Sequence, residues 1–96
     1  MTEDLDRLAH RVAELNAAVG EVRGTSYSPD GSVHIEVDIY GAITHLRLNE
    51  FAMEHGPERF AELIVDCHDR AHAAAVIDAR SAYESVRAQQ DSRGIR

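Results

Sequence analysis

Apolar residues recur at spacings of three and four over residues 2–19, at Leu5, Leu8, Val12, Leu15 and Val19, which predicts an amphipathic helix with an unbroken heptad stripe. Thr2 suits its N-cap, Glu3 and Asp4 its first turn, and Gly20 its C-terminal stop. A stripe this short favours packing on a sheet over a coiled coil, with helix pairing between two subunits as the alternative.

The period then changes to two. Over residues 32–48, Ser-Val-His-Ile-Glu-Val-Asp-Ile-Tyr-Gly-Ala-Ile-Thr-His-Leu-Arg-Leu predicts two antiparallel strands. With Tyr40-Gly41 as a two-residue hairpin loop, Ile39 faces Ala42, Val37 faces Thr44, Ile35 faces Leu46 and Val33 faces Leu48. That face is apolar. The other carries His34 opposite Arg47, Glu36 opposite His45 and Asp38 opposite Ile43, as a sheet with one wet side requires. Upstream, residues 21–28 predict a weaker first strand, joined by a Pro29-Asp30-Gly31 loop that pairs Tyr27 with Val33 and Thr25 with Ile35. Gly24 and the Ser and Thr residues around it mark this strand as a poorly packed edge.

Residues 49–56 are a connector, and Gly56-Pro57 opens a second helix predicted to run to Gln90, ahead of a frayed tail at 91–96. Its apolar face changes midway. Phe60, Leu63, Ile64, Cys67, Ala71 and Ala74 form a stripe suited to the sheet, while Val76, Ala79, Tyr83 and Val86 form a second one. The second stripe is expected to project beyond one subunit and meet another, with Val76, Tyr83 and Val86 as contacts, unless the helix bends after Ala75. The fold class expected is α+β: an N-terminal helix, a three-stranded antiparallel meander and a long C-terminal helix in one domain, residues 1–96.

Composition narrows the function. A chain of 96 residues buries a modest share of its surface, and here the apolar fraction is inflated by fourteen Ala with no Trp, so a second copy is expected to complete the core. One cysteine, Cys67, allows no intrachain disulfide and suggests a reducing, cytoplasmic setting; the first twenty residues lack the pattern of a signal peptide, and no stretch reaches membrane-spanning length. The net charge of −7 opposes non-specific attraction to nucleic acid. Only residues 70–96, with five Arg against three acids, are net basic.

Within that segment Arg80, Arg87, Arg93 and Arg96, aided by Arg70, form a candidate phosphate-contacting strip, with a solvated helix flank as the competing interpretation. Arg7 and Arg11 are one turn apart on the first helix and read as solubilising. His68 and His72 have chelating spacing, but Cys67 and Asp69 lie to either side of them and no second ligand motif exists, so neither a metal nor a cofactor is expected. If the wet sheet face is buried between subunits, protonation of His34 and His45 makes assembly pH-dependent. No nucleophile stands with a base at motif spacing, and no Gly-rich phosphate loop is present; an enzyme is the least favoured class.

With its Gly-Ala-Ile-Thr-His-Leu-Arg-Leu strand after a Gly turn and its Leu-Ile-Val-Asp-Cys-His-Asp-Arg-Ala-His-Ala-Ala helix start, nearly the whole chain resembles the YbaB/EbfC nucleoid-associated proteins. The resemblance implies a small cytoplasmic homodimer, paired around its sheets with helices projecting like tweezers, that binds DNA largely without sequence preference and without an enzymatic step. The chain departs from the family's Lys-rich helices, having no Lys at all. Acidic relatives include proteins associated with type VII secretion loci, which implies the alternative of an acidic dimeric adaptor for another protein, with weak or no DNA binding.

Overall fold

The computed structural model describes residues 2–94. The side chains of Thr2 and Glu3, expected at the first cap, and Arg96 lie outside the described residues. The order is α1 (Thr2–Gly20), β1 (Gly24–Tyr27), β2 (Val33–Val37), β3 (Ile43–Leu48), a short 3₁₀ turn (Ala52–His55) and α2 (Pro57–Gly94). The three strands form one antiparallel sheet in the order β1-β2-β3. This is the α+β arrangement that the apolar periodicity predicts.

β2 is the centre of the core. Val33, Ile35 and Val37 are fully buried and pack against Leu63, Cys67, Ala71 and Ala75 of α2, with Val22, Phe60 and Ile64 around them. The expected first stripe of α2 is therefore the sheet-facing one, with Ala75 buried in place of the predicted Ala74. The predicted pairs Val33 with Leu48, His34 with Arg47, Ile35 with Leu46 and Glu36 with His45 all form. Beyond them a bulge shifts the register, and Val37 faces Ile43 instead of Thr44. The cause is Asp38, whose Oδ1 accepts the Tyr40 and Ala42 N–H groups at 2.9 and 3.0 Å, while Gly41 takes a φ of +85° and donates its N–H to Asp38 O. The loop consequently holds Ile39, Tyr40 and Gly41, a three-residue hairpin with its bulge, and not the two-residue turn.

The first hairpin also differs by one position. Tyr27 pairs with His34, Ser26 with Ile35, Thr25 with Glu36 and Gly24 with Val37. Asp30 Oδ1 accepts hydrogen bonds from Ser28 Oγ, Ser32 N and Ser32 Oγ, which draws Ser32 into the loop. The shift places Gly24, Ser26 and Ser28 on the helix side and Thr25 and Tyr27 on the other. The small residues are thus a docking surface for α2, not a poorly packed edge: a Cβ on Gly24 would collide with Ala71 O and sit 2.5 Å from Ala75 N. Ser26 Oγ reaches Cys67 Sγ at 3.8 Å, and the buried thiol lies 3.8 Å from Val33 O.

The first helix does not pack on the sheet. α1 lies along the C-terminal half of α2, tied by Gln90 Nε2 donating to Arg11 O at 3.1 Å and to Glu14 Oε1 at 2.9 Å. α2 is one uninterrupted helix to Gly94, about 57 Å long by its rise. The molecule is accordingly elongated, 62 by 21 by 16 Å, with the sheet at one end and a two-helix arm at the other. Half of the second stripe, Ala79 and Val86, is half-buried within one chain, while Val76 and Tyr83 are 44% and 45% exposed. Among the described residues no helix is long and apolar enough to cross a membrane.

The Asp30 loop yields a pH dependence. Hydrogen bonds from Ser32 N, Ser32 Oγ and Ser28 Oγ, with His55 Nε2 at 2.7 Å on the other oxygen, hold the Asp30 carboxyl far below the ordinary carboxylate range. A lowered folded-state pKa stabilises the fold above the unfolded value of about 3.9, and that contribution is lost as pH falls below it. Asp30→Asn is expected to be less stable than wild type by a constant margin from pH 8 to 5, the two converging below about pH 4. Urea unfolding across that range measures it.

Candidate nucleic-acid interface

The arm brings together arginines from both ends of the sequence. Because α1 runs antiparallel to the end of α2, Arg7, His10 and Arg11 stand beside Gln90 and Arg93 around an open cleft of about 700 Å³, shared with Asp4, Asp6 and Glu14. Arg93 Nη2 donates to both oxygens of Glu14, at 3.1 and 3.5 Å. Glu14 has its pKa lowered, first by the hydrogen bond from Gln90 and then by Arg93, so it stays ionised and fixes Arg93. Gln90 is buried and its Oε1 has no partner among the described residues.

Of the arginines expected to form one strip, the described ones, Arg70, Arg80, Arg87 and Arg93, are spread along α2. Arg93 is engaged by Glu14, and Arg87 sits 3.8 Å from Asp91 one turn on. Arg80 is exposed and has no ion pair among the described residues. Arg70 is about 35 Å from Arg93 along α2, beside the sheet, and its Nε lies 3.4 Å from Asp66 O. Arg7 and Arg11, expected to be solubilising, stand in the cleft with Arg93. A usable signal existed: α1 has nineteen residues, the length of α2 beyond Ala75, so an antiparallel pairing puts their basic turn against Arg93.

Charge is distributed unevenly as a result. At the arm tip Arg7, Arg11, Arg87 and Arg93 balance Asp4, Asp6, Glu14 and Asp91, while the sheet end and connector carry the acidic excess of a −7 chain. Arg7 and Arg11 have no ion pair among the described residues and can turn outward to phosphates, where the guanidinium geometry suits bidentate contact.

His68 and His72 serve a different purpose from chelation. His68 Nε2 donates to Gly41 O at 2.7 Å and His72 Nε2 to Ile39 O at 3.0 Å, pinning the β2–β3 loop to α2. α2 covers β1 and β2 and leaves β3 uncovered. Every residue of β3 is exposed, including Ile43, Leu46 and Leu48, which pair with Val37, Ile35 and Val33 and so share the helix-side face.

The model of the YbaB/EbfC DNA-binding family matches residues 1–90. The search of curated proteins found no match.

Proposed function

The chain belongs to the YbaB/EbfC DNA-binding family, a nucleoid-associated family not known for enzymatic activity, and from that premise we propose that it is a cytoplasmic homodimer that binds duplex DNA electrostatically, with little sequence preference, through the tips of its two-helix arms. The observation that carries this reading is the convergence of Arg7, Arg11 and Arg93 around one open cleft at the arm tip, with Arg87 less than two turns before Arg93 on α2. Arg80 extends the set down α2, and Arg70, held beside the sheet, is left out of it.

The second copy joins at β3. That strand is an open sheet edge with unpaired backbone groups, and Ile43, Leu46 and Leu48 on its helix side lack cover. Phe51 and Met53, at 61% and 69% exposure, lie just past it. Pairing there matches the family's typical dimeric state and leaves the arms free, so Val76, Tyr83 and Val86 are not needed as subunit contacts.

Arg7→Ala with Arg11→Ala removes four charges per dimer. Duplex affinity is expected to fall at low salt and the slope of log affinity on log salt to decrease by about one for each phosphate that is no longer neutralised, read by gel shift. Unchanged affinity and slope would reject the arm tips.

A second reading has its own support. Val76, Ile77 and Tyr83 on α2 and Leu5, Leu8 and Val12 on α1 leave apolar side chains exposed along the arm, a surface suited to an amphipathic helix of a protein client. An acidic dimeric adaptor using it would shift no duplex even at low salt.

A further inference from the structure

The sheet face turned away from α2 carries a compact array of aromatic and basic groups. Tyr27, His34 and Arg47 form one row across β1, β2 and β3, and Thr25, Glu36 and His45 form the next. Tyr27 stacks on His34 with ring centroids 4.3 Å apart and planes 19° apart, and His45 meets His34 edge-on at 6.0 Å. One face of the Tyr27 ring rests on His34 and the residue is still 61% exposed, so the other is open. His34 Nδ1 is buried and has no hydrogen-bond partner among the described residues. The sole carboxylate of the array, Glu36, is occupied: its Oε2 accepts Thr44 Oγ1–H at 2.7 Å.

We propose that this face is a platform for single-stranded nucleic acid, distinct from the arm tips, in which a base stacks on the open face of Tyr27 and phosphates lie on Arg47 and His45. An open aromatic ring beside a cation on an antiparallel sheet is a combination that suits single strands. Every base has a stacking face, and duplex bases, already stacked on one another, cannot use it. The occupant follows from charge as well. In an acidic chain this array holds Arg47 against one engaged carboxylate at neutral pH. Thr25, Tyr27 and Thr44 add no opposing charge there. Binding therefore weakens with salt.

The test is fluorescence anisotropy of labelled oligothymidine with the full chain, at about 50 and 200 mM salt. Wild type is expected to bind more tightly at the lower salt, and excess random duplex to displace little of the oligonucleotide. Tyr27→Ala is expected to weaken binding about tenfold, Tyr27→Phe to retain it, and Arg47→Glu to abolish it. Any of three results overturns the platform: no binding at the lower salt, equal binding by Tyr27→Ala, or a change of sedimenting mass in Tyr27→Ala, which would make the face a contact between copies. Because the duplex gel shift reads the arms and Tyr27 reads the sheet, either assignment can fail without the other.

Discussion

Gly24→Ala is expected to cost at least about 3 kcal/mol, a large fraction of the stability of so small a domain. The cost is steric. An added methyl carbon would overlap Ala71 O and stand 2.5 Å from Ala75 N and 2.8 Å from Ala75 Cβ. Two of these neighbours are helix backbone, so relief requires α2 to lift away from β1, and lifting it uncovers Val33, Ile35 and Val37 together with Leu63 and Cys67. No flexible side chain is available to yield. Gly20→Ala is the matched control, since a methyl there meets nothing within 4 Å, and its stability should stay within about 1 kcal/mol of wild type. Urea unfolding followed by circular dichroism compares the three proteins. Equal stability of Gly24→Ala and wild type would mean that α2 does not approach β1 so closely.

Leu46→Glu is expected to convert the dimer into a folded monomer. Leu46 is 45% exposed on the open edge strand and pairs with buried Ile35, so in a single chain the new carboxylate reaches water and the core is spared. In a pairing of two β3 edges the same carboxylate is desolvated close to its counterpart from the second copy, and one uncompensated charge in an apolar contact outweighs what a Leu contributes there. Sedimentation equilibrium should report twice the chain mass for wild type and 10.6 kDa for the variant, with helical content retained in both. The exposed Ile43, Leu46 and Leu48 are the ground for proposing β3 as the place where a second copy relieves the small core. A wild-type monomer, or a dimer unaffected by Leu46→Glu, would remove β3 from the interface.

The sequence and the structure agree most closely where one physical pattern has one solution. Val33, Ile35 and Val37 alternate with polar residues, burying them allows a single register, and their pairs with Leu48 and Leu46 are readable directly. Both hairpin loops depart by one residue for a shared reason. Asp30 and Asp38 each cap backbone N–H groups with a side-chain oxygen, and that local bond, invisible to a hydrophobic pattern, decides how many residues the loop holds. α1 is legible as a helix but not in its destination, because an apolar stripe declares that it must be covered without declaring by what. Its position along α2 changes the candidate site, adding Arg7 and Arg11 and separating Arg70 from Arg93. Gly24 looks like a weakness of β1 and is the close approach that seats α2.

Whether an acidic chain grips duplex DNA through the arginines at the tips of its arms is measured most directly by a gel-shift titration of the purified protein on a random-sequence duplex at about 50 and 200 mM salt. A shift at the lower salt that weakens steeply at the higher is the predicted result, and absence of any shift at the lower salt would contradict it.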